Sequence, residues 1–250
     1  MKTGSVQLVI GGGSGIGRAG SLILGERGMN VVVADCNEAA AQDCANAITS
    51  AGGSAIALEV DVSREDSVSA LLDKVLTNHG RLDGAMNCAG MAPTGKQVHE
   101  LALEDWHTTI GVNLTGMFLC VKHQAAAMLA TGGGAIVCVS SASGIRGMVG
   151  SVDYCAGKAG VLGLVKAVAM DYAKLGIRIN ALLPGATDTP LARIAGQQNP
   201  AILGTVGVPM GRMADPAEVA RAAVWMLSDE ASYLTGADLC VDGGMTEGFA

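Results

Sequence analysis

The chain is short of charge and of aromatic rings. Only 16% of its 250 residues are Asp, Glu, Lys or Arg and 3% are Phe, Trp or Tyr, so Val, Ile, Leu, Ala and Met must fill the core. It has no basic surplus, since the formal net charge is −7, and no run of like charges. That excludes the basic stripe of a nucleic-acid binder and leaves the acidity as ordinary solubility. It has no C-x-x-C, and its seven cysteines, at 36, 44, 88, 120, 138, 155 and 240, are odd in number and sit mostly in apolar segments. A disulfide framework and a metal site are both disfavoured, and reduced thiols in a cytoplasmic chain are expected. Cys155 is kept in view because it adjoins Tyr154. Long apolar runs are also missing. Val6–Ile10 is too brief for a signal-peptide core. The uncharged stretch from Ala125 to Ile145 is broken by Gly132-Gly133-Gly134 and several Ser, which predicts a helix end, a turn and a strand rather than a membrane span.

Apolar residues make up 50% of the chain and Gly accounts for 36 positions. The length suits one α/β domain spanning residues 1–250. Short β-rich runs alternate with helical stretches. Strands are predicted at Val6–Ile10, Asn30–Asp35, Ser54–Val60, Leu82–Asn87, Ala135–Ser140, Ile177–Leu183 and Leu239–Val241. Between them, helices are predicted to about Arg27, over Glu38–Ala51, from a Ser63 cap with Asp66 as capping-box acid to about His79, over Glu104–Leu129, over Asp153–Leu175, and from Asp215-Pro216-Ala217-Glu218 onward. Such alternation means βαβ units, a parallel sheet with helices on both faces, and right-handed crossovers. Thr187–Arg212, with Pro190, Pro200 and Pro209, lacks clear periodicity and is expected to be a substrate loop or lid.

Gly11-Gly12-Gly13-Ser14-Gly15-Ile16-Gly17 joins the first strand to the first helix. Gly lets main chain approach a pyrophosphate, and a helix N-terminus offers free N–H groups and a positive dipole end. Asp35 ends the second strand 18 residues after Gly17, where an acid can accept hydrogen bonds from an adenosine ribose. It could instead be a helix N-cap or a solvated strand end. No Lys or Arg lies within Gly11–Gly17 or in Cys36-Asn37, so a 2′-phosphate would meet a carboxylate without a visible cation. NAD is favoured over NADP, with Arg18 the residue that could alter this. Asp61-Val62 and Asn87-Cys88-Ala89-Gly90 lie at C-terminal strand ends, the edge at which open α/β sheets bind ligands.

Tyr154-Cys155-Ala156-Gly157-Lys158 opens a helix, and positions i and i+4 share a face. A free phenol has a pKa of about 10 and a neighbouring ammonium lowers it, towards values useful for proton transfer. Ser140-Ser141 ends the preceding strand, where a hydroxyl could hold a substrate oxygen. Asn113 lies inside a long helix, where an amide costs propensity. It could bind a water or a main-chain carbonyl, or satisfy a kink.

Gly11 to Gly17, Asn87-Cys88-Ala89-Gly90, Asn113, Ser141, Tyr154-x-x-x-Lys158, Pro184-Gly185 and Thr235-Gly236 together resemble the short-chain dehydrogenase/reductase family in its form of roughly this length. The order and spacing cover nearly the whole chain. The resemblance implies a Rossmann-type, doubly wound seven-stranded parallel sheet, a homotetramer and a nicotinamide cofactor. It makes Tyr154 the general acid/base, with Lys158 holding the nicotinamide ribose and lowering the Tyr154 pKa. Ser141, 13 positions before Tyr154, would orient the substrate oxygen, and Asn113 would hold a relay water. Gly11, Ser14, Gly15, Ile16 and Gly17 would line the pyrophosphate, Asp61 and Val62 the adenine, and Asn87, Ala89 and Gly90 the adenosine side. Pro184, Gly185, Thr187 and Thr189 would meet the nicotinamide amide. Three positions depart from the family pattern: Ile10, Cys88 and Gly157 stand where Thr, Asn and Ser are common.

Met91, Ser143, Met148, Val149, Leu191, Ile194, Ile202, Leu203, Val206 and Met210 are the pocket candidates. They are mostly apolar, so an uncharged ring alcohol, diol or hydroxysteroid-like alcohol and its ketone are expected as substrates. Arg146, Arg193 and Arg212 are the cations that could change this. Two other readings stay open: an NADPH-dependent reductase of 3-oxoacyl thioesters or other carbonyls, and a non-catalytic NAD-binding protein.

Overall fold

Alternate residues of the first strand, β1 (Val6–Ile10), face opposite sides, and all are buried. Val6, Leu8 and Ile10 enter one buried layer and Val9 enters another. A strand of that kind is stable only between two helical layers. The computed structural model, which describes residues 1–198 and 208–248, supplies both. Along the chain follow α1 (Gly15–Glu26), β2 (Asn30–Asp35), α2 (Glu38–Ser50), β3 (Ser54–Glu59), α3 (Glu65–His79), β4 (Gly84–Asn87) and α4 (Leu103–Ile110). After them come α5 (Met117–Thr131), β5 (Gly134–Val139), α6 (Val152–Tyr172), β6 (Ile177–Pro184), α7 (Pro190–Gln198), α8 (Pro216–Leu227) and β7 (Asp238–Val241).

All the strand pairs are parallel, in the order β3-β2-β1-β4-β5-β6-β7. This is the doubly wound sheet anticipated above. Residues of α3, α5 and α6, such as Val68, Leu71, Met117, Cys120, Val161 and Val165, form one core. Residues of α1, α2 and α8, such as Leu24, Ala41, Cys44, Val219 and Val224, form the other. The order reverses between β1 and β4, which opens a crevice outside their C-terminal ends, where ligands of such sheets bind. Among the described residues no helix is long and apolar enough to cross a membrane.

Local chemistry corrects several predicted elements. The single helix expected over Glu104–Leu129 is interrupted by a π-helical segment at Gly111–Gly116 between α4 and α5. Gly116 is needed there, because a Cβ would lie 2.8 Å from the Val62 side chain. Ser63 does not cap α3. Its hydroxyl donates to Asp61, Asp66 pairs with Arg64, and Arg64 occupies the cap position without a side-chain cap bond. Thr187–Arg212 is not loop throughout, because it contains α7. The signal was present: Thr189 Oγ1 accepts from Ala192 N at 3.1 Å, and Pro190 follows it at the first helical position. The capping box of α8 forms as read, with Asp215 accepting from Ala217 N and Glu218 accepting from Asp215 N.

Candidate active site

The Gly-rich loop between β1 and α1 is packed so tightly that only main chain fits. A Cβ on Gly17 would lie 2.1 Å from the Gly11 carbonyl oxygen, and one on Gly11, whose φ is +78°, would lie 2.6 Å from Ala89 N. Ser14 is the extended N-cap of α1, is exposed, and makes no side-chain cap bond, and no acid stands in the first turn. The first amides of α1 are therefore not satisfied by a side-chain cap, and they present the positive end of the helix dipole. Ile16 is half-buried beside them. This cradle fits a pyrophosphate.

Asp35 closes the loop from below. Its Oδ2 accepts from Gly13 N at 2.9 Å and its Oδ1 from Asn37 N at 3.0 Å. Asn37, not Asp35, is the N-cap of α2, accepting from Ala40 N at 3.1 Å. The carboxylate thus sits at the sheet edge, and among the described residues it forms no ion pair. Asp61 is exposed at the end of β3, its Oδ1 turned back to accept from Ser63 N and Oγ, while Val62 is buried beneath Gly116.

Asn87 ends β4 with its side chain in the core. Its Nδ2 donates to Gln124 Oε1 at 2.9 Å and its Oδ1 accepts from Gln124 Nε2 at 2.7 Å. The side chain is spent inside the core on this reciprocal pair, so only the main chain of Asn87 is left for a ligand. Ala89 and Gly90 follow, and a Cβ on Gly90 would lie 2.9 Å from Asn113 Oδ1 and 3.4 Å from Lys158 Nζ. On the other side of the crevice, a Cβ on Gly15 would lie 3.2 Å from Thr189 Cγ2. Thr187 is bridged to Ala214 and its hydroxyl donates to the Gly185 carbonyl. Gly185 is pressed against Asp242, and Pro184 ends β6. The segment after β6 therefore lies against the Gly-rich loop, with Thr189 meeting Gly15, 174 residues earlier in sequence.

Tyr154 and Lys158 lie one turn apart on α6 and are buried, with Nζ 5.6 Å from the centre of the phenol ring. The Ser141 hydroxyl accepts from Ser143 N at 3.0 Å and lies close enough to the phenol to lower its pKa. The Ser140 hydroxyl instead donates to the Lys158 carbonyl at 2.8 Å. Asn113, fully buried in the π-helical segment, clamps Met91, accepting from its N and donating to its O, both at 3.1 Å. The expected lowering of the Tyr154 pKa by Lys158 is not present. Burial raises it, and the nearby Ser141 hydroxyl offsets only part of that rise. Burial also brings the Lys158 ammonium down to about 8, and its proton is shared with the Val139 carbonyl at 3.0 Å. Proton exchange at a substrate oxygen between Ser141 and Tyr154 is what this trio can do. Sequence reasoning missed Gln124 and Asp153, the buried acid beside Tyr154. An acid in the first turn of an otherwise apolar helix was the available signal for the latter.

A family model described as enoyl-(acyl carrier protein) reductase matches residues 11–246. The chain is 41% identical over 248 residues, 98% of each chain, to 2,5-dichloro-2,5-cyclohexadiene-1,4-diol dehydrogenase of Sphingobium indicum. It is 45% identical over 244 residues, 96% of each chain, to cis-4-hydroxycyclohexanecarboxylate dehydrogenase of Sinomonas cyclohexanicum. Its fold superposes on the crystal structure of levodione reductase with a TM-score of 0.95 at 30% identity, over 100% of both chains.

Proposed function

The chain belongs to the short-chain dehydrogenase/reductase family, and from that premise we propose an NAD-linked dehydrogenase of uncharged ring alcohols and diols. It is an oxidoreductase that interconverts a secondary alcohol and its ketone. The observation that carries the chemistry is the buried Tyr154–Lys158 pair with the half-buried Ser141 beside it. In this reading Ser141 orients the substrate oxygen, and Tyr154 exchanges a proton with it. Lys158 holds the nicotinamide ribose, and the main chain of Asn113, whose side-chain amide is engaged by Met91, orders a water that passes the proton outward. A nicotinamide held there would supply the hydride acceptor or donor. Gly11 to Gly17 hold the pyrophosphate, Asp61 and Val62 the adenine, the main chain of Asn87 to Gly90 the adenosine, and Pro184 to Thr189 the carboxamide.

Asp35 supports NAD. An acid within reach of the ribose hydroxyls would repel a 2′-phosphate. The pocket cations support an uncharged substrate, because each has a partner: Arg193 pairs with Asp188 and Arg212 with Glu218, and Arg146 donates to the Met245 carbonyl. Val149, Ile194 and Met210 present exposed apolar surface around the site. Ile202, Leu203 and Val206 lie outside the described residues, and the lid role of 187–212 is part of this proposal. The seven unpaired cysteines support a cytoplasmic setting. Exposed Leu103, Phe118 and Met170 on α4, α5 and α6 support the homotetramer, and the single domain over 1–250 completes the reading.

The enoyl-reductase family description keeps one rival specific, an NADPH-linked thioester reductase. Absorbance of reduced nicotinamide separates the two. NAD-linked oxidation of cyclohexanols and ring diols is expected. Reduction of 3-oxoacyl or enoyl thioesters with NADPH, and no alcohol oxidation, would replace this reading by the rival one.

A further inference from the structure

Asp153 has 0% of its surface exposed, and among the described residues it makes no ion pair. A buried carboxylate without a cation is expensive unless hydrogen bonds compensate it. Three donors do so. Oδ1 accepts from Tyr154 N at 2.8 Å, and Oδ2 accepts from Thr109 Oγ1 on α4 at 3.0 Å and from Thr94 N at 3.3 Å. The carboxylate also lies in the first turn of α6, where the helix dipole favours an anion.

These bonds join the turn that carries Tyr154 to the chain leaving β4. That chain starts at Gly90, beside Lys158 Nζ, and is clamped at Met91 by Asn113. It is held at Thr94 by Asp153 and reaches Gly95, whose carbonyl is packed against Gly150. Residues 91–95 thus run from beside Lys158 to the turn before α6, tied on the way to the residue preceding Tyr154. The Thr94 hydroxyl is buried without a partner, so this segment is tied there by its main chain. We propose that Asp153 is a positioning residue that holds the 91–95 wall against the first turn of α6 and thereby sets where the substrate alcohol lies relative to Tyr154. The proposal rests on the reading of Tyr154 as the acid/base.

Two variants test it, Asp153→Ala and Thr109→Val. The amides of Thr94 and Tyr154 should exchange hydrogen about tenfold faster or more in Asp153→Ala. In steady-state kinetics with a ring alcohol and NAD, KM for the alcohol should rise about tenfold in Asp153→Ala and roughly threefold in Thr109→Val, with the Kd for NADH changed less than about twofold. Thr109→Ser, which keeps the donor, should restore the parent KM. Unchanged exchange, or an alcohol KM that stays put or rises only together with the NADH Kd, overturns the proposal. Thr109→Val alone decides it should Asp153→Ala not fold. Absence of alcohol turnover in the parent chain would overturn the functional reading instead, and the exchange rates would still decide whether Asp153 holds the wall.

Discussion

A phenol buried like Tyr154 gives up its proton less readily than one in water, and the Ser141 hydroxyl recovers part of the difference. Tyr154→Phe keeps the ring and its packing and removes only the proton carrier. It should leave NADH affinity nearly intact and cut turnover by about 10²–10⁴-fold, the usual worth of a positioned acid/base. Near-normal turnover in that variant would dismiss the mechanism. Lys158 makes the opposite kind of statement. Its pKa falls from 10.5 to about 8 on burial, so below about pH 8 the folded chain carries a buried ammonium that the unfolded chain carries in water. Between about 8 and 10.5 the unfolded chain binds more protons than the folded one, and stability rises with pH across that window. A shift of that size corresponds to roughly 3 kcal/mol, and loss of the bond to the Val139 carbonyl takes some of it back. Lys158→Met should therefore stabilise the ligand-free chain at pH 7 by roughly 1–2 kcal/mol while abolishing turnover. Urea unfolding at pH 7 and pH 9 measures both the gain and the loss of its pH dependence. At this scale the spacing of Tyr154 and Lys158 was readable from the chain, since neighbours four apart on a helix must share a face. The partner of Asn87 was not, because Gln124 is brought to it only by packing of α5 on the sheet.

Elements were legible where the signal is local. The capping box of α8 needs only Asp215 to Glu218, and β1 and β2 have the bounds that their apolar runs suggest. The break between α4 and α5 was hidden, because the π-helical segment answers to two distant contacts, Val62 under Gly116 and Met91 against Asn113. The Gly-rich loop lies between these cases. Its composition announced a close approach, but not that the approach is first of all to itself. With 2.1 Å between a Gly17 Cβ and the Gly11 carbonyl, Gly17→Ala must push the loop off Ala89. Overpacking of this kind costs about 1–3 kcal/mol. The variant should lose most of its NADH affinity, whereas Asp215→Ala, at the far end of α8's capping box, should lose about 1 kcal/mol of stability and bind NADH normally. Calorimetric titration of the two variants side by side checks the contrast.

For the whole molecule, the sheet order brings the ends of β1, β4, β5 and β6 to one edge, where the proposed cofactor-binding and catalytic residues gather, and leaves the opposite edge to serve stability. Arg178 shows that division. It enters from β6 and donates to three carbonyls, Met226 at 3.0 Å, Leu234 at 3.1 Å and Ser228 at 3.0 Å. It thereby fastens the C-terminal end of α8 and the turn before β7 to the sheet. The guanidinium is half-buried, and burial lowers its pKa. A Lys there has a single ammonium that cannot span three carbonyls in the plane of a guanidinium fork, and carbonyls left without a donor keep their desolvation penalty. Arg178→Lys should therefore lower unfolding stability by about 2–3 kcal/mol with kcat/KM for a ring alcohol unchanged within error. If stability and catalysis fell together, the edge remote from the cofactor loop would be coupled to the site. If Arg178→Lys loses stability and keeps activity while Lys158→Met does the reverse, the two edges of the sheet carry separate tasks.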